Sequence, residues 1–248
     1  MSAESVPAVK SALRTVEVLE LIARERTSLS LADVHQRLGY PKSSLSMLLR
    51  TLVEAGWLET DASGGRYGIG LHALLAGTSY LDGDRVVAAA RDVMMWLSET
   101  TGETVHLARL DGDDIVYLAT RESQHYLRPI SRVGRRLPAY ATSLGKALLA
   151  ERGPAVPGEL TAITPYTLID PSVLAADLAA TRARGYAVDH EENVLGLRCF
   201  GAAVRAHEPV RDAISCSVPL ARLTPGRDEE IVVALLTARD RLESALVR

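Results

Sequence analysis

The 248-residue sequence has only two cysteines, Cys199 and Cys216, too few for a disulfide framework, and this points to a reducing, cytoplasmic setting. It has no apolar run near the roughly 18 residues that a membrane-crossing helix needs. Its first residues, MSAESVPAVK, lack the basic-then-apolar layout of a secretory signal, so no membrane partner is expected. It also lacks a basic excess, with 28 Lys and Arg against 31 Asp and Glu and a formal net charge of -3. The first 70 residues carry eight charges of each sign. Bulk charge therefore does not advertise nucleic acid, and any DNA contact must rest on where the cations sit. Internal repeats and low-complexity segments are missing too. What remains is an ordinary globular composition, 47% hydrophobic and 24% charged, long enough for one or two domains with a real core.

From Val9 to Arg24, the apolar residues Val9, Ala12, Leu13, Val16, Leu19, Ile22 and Ala23 recur at helical spacing. A second helix is predicted from Ser30, an N-cap with Asp33 three residues on, and it ends at Gly39. Its inward face is Leu31, Val34 and Leu38. Pro41 suits the start of a third helix that buries Leu45, Leu48, Leu49, Leu52 and Val53 and stops at Gly56. Lys42, Ser43, Ser44, Ser46, Met47 and Arg50 then face outward. Small hydroxyls between two cations let a helix approach a phosphate-lined groove closely.

WLET, the DASGG turn and RYGI read as two short strands with a tight turn. Three helices and a hairpin make a winged helix-turn-helix, with Arg66 on the wing placed to reach the DNA backbone. The plainer alternative is the start of a helical core with a solvated Ser/Lys face; the order of elements argues against it. Residues 71–84 read as a linker helix. Beyond it, a helix over RVVAAARDVMMWLSETTG leads into a hairpin of TVHLARL and IVYLAT. Further strands are predicted at YLRPISRV, YAVDHEE, LRCFGAAVR and DAISCSVPL. Helices are predicted at TSLGKALLAE, PSVLAADLAATRARG and RDEEIVVALLTARDRLESAL. Without a strict βαβ repeat, this is an α+β fold with a mixed, mainly antiparallel sheet.

The N-terminal stretch SALRTVEVLELIA…LSLADVHQRLGYPKSSLSMLLRTLVEAGWLE resembles the IclR family of bacterial transcriptional regulators. So do the later blocks SRVGRRLPAYATSLGKALLA, RGYAVDHEENVLGLRCFGAAVR and DAISCSVP, so that the resemblance runs nearly end to end. It implies a winged helix-turn-helix over residues 1–70, a linker helix over 71–84, and a GAF-like effector domain with an antiparallel sheet over 85–248. It also implies homodimers that often pair into tetramers, double-stranded operator DNA with pseudo-palindromic symmetry, and a small-molecule effector, commonly a carboxylic or aromatic acid. Repression is the expected mode.

Matched residue by residue, the resemblance puts the DNA contacts on Arg14, Ser30, Lys42, Ser44, Ser46 and Arg50. Met47 stands where relatives commonly have a basic residue, which favours an apolar contact such as a thymine methyl. The effector site falls on Thr142, Ser143 and Leu144 at a helix start, on Asp189, Leu197 and Cys199, and on Ser215 and Ser217. Leu127, Ile130 and Leu137 are expected as apolar walls. Backbone N–H groups at a helix start can bind a carboxylate.

Other chemistries are weaker. Cys199 with His190 and Asp189 suggests a hydrolase, yet a cysteine inside GLRCFGAAV is most often a small buried hydrophobe. Cys199, Cys216, His190 and His207 lack zinc-ligand spacing, and the Gly-Lys of SLGKALL lacks the rest of a phosphate loop. No metal or cofactor is expected. Asp189, Glu191 and Glu192 form an acidic run of the kind usually solvated, with Asp189 the one expected to turn into a pocket. Arg135 and Arg136 are expected on the surface or at a subunit interface, and His35 and His72 on a solvent face. A non-specific architectural DNA binder would not need the second domain.

Overall fold

The structure, a computed structural model, describes residues 9–25, 27–153 and 158–247. The chain divides after Gly83 into two compact units. The first holds α1 (Lys10–Arg24), β1 (Leu29–Ser30), α2 (Leu31–Leu38), α3 (Lys42–Glu54), β2 (Leu58–Thr60), β3 (Arg66–Ile69) and α4 (Leu71–Asp82). Ser30 caps α2 in a closed box: its hydroxyl accepts from the Asp33 amide, and the Asp33 carboxylate accepts from the Ser30 amide. Gly39 ends α2 at φ 70°, a left-handed position that costs other residues more than glycine. Pro41 sits just outside α3 as its N-cap. The wing gains a strand that the sequence pattern does not announce, since β1 pairs with β3 and makes a three-stranded antiparallel sheet in the order β1-β3-β2.

The core of this unit is Val18, Ile22, Leu29, Val34, Leu45, Leu49, Leu52 and Leu58. It corrects the predicted face of α1. Val18 is buried, while Val9, Leu13 and Val16 are exposed, because the core meets only the carboxy-terminal half of that helix. α4 buries no residue, and Leu71, Leu74 and Leu75 stand exposed.

The second unit starts with α5 (Arg85–Thr101), β4 (Thr104–Asp111), β5 (Asp114–Arg121), β6 (Arg136–Pro138) and α6 (Ser143–Arg152). It continues with α7 (Pro171–Arg184), β7 (Ala187–His190), β8 (Leu197–Val204), β9 (Asp212–Pro219) and α8 (Arg227–Leu246). The six strands form one sheet in the order β6-β5-β4-β9-β8-β7, and every pairing is antiparallel. α5 and α8 cover one face, where Cys216 meets Thr101; α6 and α7 cover the other.

The strand predicted at residues 126–133 is absent. Pro129 has no N–H for a ladder, and Tyr126 and Ile130 project into solvent. The segment instead turns so that the Gly134 amide donates to the Tyr117 carbonyl, and only Arg136–Pro138 pairs with β5.

Two glycines press α6 onto the sheet. A Cβ at Gly201 of β8 would lie 2.5 Å from the Ser143 carbonyl oxygen, and one at Gly145 would lie 2.2 Å from the Ala139 carbonyl oxygen. Side chains there would lift the start of α6, and this contact positions the site that follows.

Candidate functional site

On the first unit, Lys42, Ser43, Ser46, Met47 and Arg50 lie exposed on α3, opposite the buried Leu45, Leu49 and Leu52. Helical geometry alone gathers them, since residues three and four apart share a face. Met47 is 60% exposed, an apolar side chain offered outward. Ser44 is half-buried and donates to the Pro41 carbonyl.

The other three candidates are engaged within the unit. The Arg14 guanidinium lies 4.6 Å over the Tyr40 ring, the Ser30 hydroxyl serves the capping box, and Arg66 donates to the Ser28 carbonyl near Asp33. Nor is His35 idle on a solvent face: its Nδ1 is 2.7 Å from the Tyr40 carbonyl and ties down the turn between α2 and α3. His72 packs close against Gly56.

The second unit contains a cavity of about 280 Å³ on the α6 face of the sheet. Strand register explains its floor. Thr104, Ser217, Cys199 and Asp189 form one row across β4, β9, β8 and β7, and His106, Ser215 and Gly201 form the next. Residues two apart on a strand share a face, so both rows point the same way.

A bulge completes the wall. The register of β4 with β5 shifts between Leu107 and Ala108, so that His106 pairs with Thr120 while Ala108 pairs with Tyr117. Thr120 and Tyr117, three apart, thereby share one face. The His106 imidazole stacks on the Tyr117 ring at 4.6 Å, and its Nδ1 is 3.1 Å from the Thr120 hydroxyl.

Over this floor sits the start of α6. Thr142 caps it by accepting from the Gly145 amide, and Ser143 and Leu144 face the cavity in its first turn. Ile130, Leu137, Asp189, Leu197, Cys199, Ser215 and Ser217 also line it. Leu127 does not; it is exposed, and its carbonyl accepts from Arg222.

The lining includes residues that the sequence reading passed over: His106, Tyr117, Ser131, Arg135, Asn193 and Val194. Arg135 corrects the expectation of a surface pair. Arg136 does face out and pairs with Asp111 and Asp114, but Arg135 turns into the cavity wall. The acidic run is corrected as well. Glu191 adopts φ 62°, and this left-handed turn sends Glu192 inward, where it is buried against Lys146. Lys146 itself is 1% exposed, with Nζ 2.6 Å from Glu192 and 2.8 Å from Asp177.

Burial, then the Glu192 charge, pushes the Asp189 carboxyl up to about 7, against the Glu192 amide that donates to it at 2.7 Å. Burial, with Arg135 adding to it, holds His106 down to about 4, so the imidazole is neutral at physiological pH. Burial raises the Cys199 thiol well above its usual range. That is the reverse of an activated nucleophile. Among the described residues no cluster of three or more His, Cys, Asp or Glu could hold a metal ion, and no helix is long and apolar enough to cross a membrane.

Comparison with known proteins matches both units. Residues 11–62 match the IclR helix-turn-helix domain, and residues 78–243 match the domain described as bacterial transcriptional regulator IclR C-terminal. The chain is 33% identical over 246 residues to the HTH-type transcriptional regulator XynR of Escherichia coli K12, covering 97% of this chain and 95% of that one. It is 34% identical over 239 residues to the transcriptional repressor IclR of the same strain, covering 93% and 87%. Among solved structures, an IclR homologue from Microbacterium hydrocarbonoxydans complexed with 4-hydroxybenzoate superposes with a TM-score of 0.79 at 25% identity, covering 96% of this chain and 99% of that one. The chain therefore belongs to the IclR family of transcriptional regulators, which bind DNA through the helix-turn-helix, carry an effector-binding carboxy-terminal domain and are not enzymes.

Proposed function

We propose that the protein is an operator-binding repressor whose affinity for DNA is set by a small organic acid, aliphatic or aromatic, held in the second unit. The observation that carries this is the cavity itself. Its volume is just under the roughly 300–1,000 Å³ usual for ligand pockets, a size for one ring or a short chain. Its roof is a helix start, where first-turn amides favour an anion. A relative holds 4-hydroxybenzoate, a one-ring carboxylate. In this reading Ser143 and Leu144 offer backbone amides to the carboxylate, Ser215 and Ser217 add hydroxyls, and Asp189, which burial raises to about 7, donates to the ligand in its protonated form. Leu137 and Leu197 supply the apolar walls, Ile130 stands at the solvent-facing rim, and Thr142 and Cys199 complete the pocket.

Residues 1–70 read the operator, with Lys42 and Arg50 on phosphates, Ser43, Ser44 and Ser46 at close approach, and Met47 against an apolar base edge. Arg14, Ser30 and Arg66 hold or extend that surface. Residues 71–84 form the linker and residues 85–248 the sensor. The working form is a homodimer, pairing into tetramers, on a two-fold operator. The effector acts through its different affinity for the DNA-competent and incompetent states, and a coupling of about 1–3 kcal/mol suffices.

The test is fluorescence anisotropy of the full chain on DNA from upstream of its own gene, with scrambled DNA as competitor and benzoate, 4-hydroxybenzoate and short aliphatic acids added in turn. Specific binding released by at least one acid is expected. Lys42→Ala and Arg50→Ala should each lower the salt slope of binding by about 2, one phosphate contact from each protomer of the dimer. Specific binding indifferent to every acid would overturn the sensor, and no preference over scrambled DNA would overturn the reader.

A further inference from the structure

We propose that Arg135 is a second anion-binding element of the cavity, and that the effector is a dianion, a dicarboxylic acid with its two charges at opposite ends. The inference rests on the cavity being the effector site and concerns which acid fits it.

An arginine side chain drawn partly out of water needs partners for its charge and its donors. Arg136 has two, Asp111 and Asp114, and Arg109 has Asp84 and Asp212. Arg135 is half-buried, lines the cavity and pairs with no carboxylate among the described residues. Its influence is felt inside: together with burial it lowers the basicity of His106, and it opposes the burial that raises the Tyr117 hydroxyl. Ser131 lines the same cavity, and its buried hydroxyl has no hydrogen-bond partner among the described residues. A guanidinium and a hydroxyl, both unspent and both facing one cavity, suit an anionic oxygen that accepts from each.

This pair is at the far side of the cavity from the roof amides. The Arg135 carbonyl accepts from the Tyr117 amide, which places Arg135 at the β5 edge of the floor. The start of α6 sits over β8, where Gly201 touches Ser143. In the order β5-β4-β9-β8 these are three strand spacings apart, roughly 14 Å on a flat sheet, and the reach of the arginine side chain shortens that. The acid in the cavity does not cancel the arginine, because Asp189 is on β7 at the opposite edge and engages the Glu192 amide. A ligand with one carboxylate meets one of these elements and leaves the other without an anionic partner. A ligand with two meets both.

Isothermal titration of the full chain with matched pairs tests this: terephthalate against benzoate, and pimelate against heptanoate. The dicarboxylate of each pair should bind roughly 10- to 100-fold tighter to the wild type. Arg135→Gln should abolish that advantage while changing monocarboxylate affinity by less than about twofold, and Arg135→Lys should retain part of it. Circular dichroism melts of both variants check the fold, and Arg135→Lys keeps the test open if Arg135→Gln is unstable. Equal affinity of wild type for both members of each pair overturns the dianion but leaves the acid sensor standing. An equal loss for mono- and dicarboxylates in Arg135→Gln overturns it too, since Arg135 would then hold the sole carboxylate. Binding of no acid at all overturns this inference together with the sensor.

Discussion

The outward face of α3 and the cavity of the second unit solve the problem of presenting polar groups in opposite ways. On α3, Lys42, Ser43, Ser46, Met47 and Arg50 are displayed by one 13-residue helix, and their mutual placement needs nothing beyond 3.6 residues per turn. The cavity takes residues from all six strands of the sheet, the start of α6 and two loops, and withdraws most of its floor from water. Polar groups on α3 are solvated whether or not a ligand is there. Those in the cavity must be paired, neutral or waiting for a partner. The difference teaches where substitutions cost stability and where they cost only binding.

The comparison breaks most visibly at Lys146. Lys146→Met leaves Glu192 buried with its charge uncompensated; burial already raises that carboxyl above its usual range even with the lysine in place. We expect a loss of about 3–5 kcal/mol in denaturant titrations, recovered in part in Lys146→Met/Glu192→Leu, where the buried Glu192 carboxylate is gone and Asp177 keeps Arg184 as its remaining partner. An equal loss in the double variant would show that the pair matters for shape rather than charge.

Asp189 comes next, and its sign runs against the usual carboxylate. Its folded-state value is raised to about 7 from 3.8, so the folded chain holds a proton that the unfolded chain has released. That contribution is full below the unfolded value and is lost as pH rises through about 7. Asp189→Asn mimics the protonated form and can still accept from the Glu192 amide. It should melt close to the wild type near pH 4 and above it at pH 8, by an amount on the order of a few kcal/mol. A constant difference across that range would mean that Asp189 does not titrate as its burial demands.

The same contrast decides what was legible in the sequence. The helix-turn-helix unit could be read from local signals: Ser30 and Asp33 as a capping box, Gly39 as a left-handed stop, and Leu45, Leu49 and Leu52 at helical spacing. Five of the six strands of the second unit could be read from alternation and turns; the sixth, expected at residues 126–133, lies instead at Arg136–Pro138. Alternation could not show that Tyr117 and Thr120 share a face, because the bulge opposite Leu107 and Ala108 changes the period without changing the composition. Nor could it show that Arg135 and Arg136, adjacent and identical, go to opposite environments. Glu192 looked solvated because its inward turn depends on Glu191 at φ 62°, and its partner Lys146 is 46 positions away. Local patterns specify local structure; the cavity is made of long-range pairings.

The smallest effect comes from setting two glycines side by side. At Gly39 the space around a Cβ is open and only the backbone angle, φ 70°, objects. Gly39→Ala should cost about 1 kcal/mol and leave acid binding untouched. At Gly201 the objection is steric, with a Cβ meeting the Ser143 carbonyl oxygen at 2.5 Å and the Leu144 amide nitrogen at 2.9 Å. Both are backbone atoms of the turn proposed to hold the carboxylate, so they yield only by moving it. Gly201→Ala should cost about 1–3 kcal/mol and also weaken acid binding. Melting each variant with and without benzoate separates the two, because ligand binding raises the melting temperature by mass action. Gly39→Ala should keep the full ligand-induced rise, and Gly201→Ala should lose most of it. If both kept it, the start of α6 would not be where the acid binds.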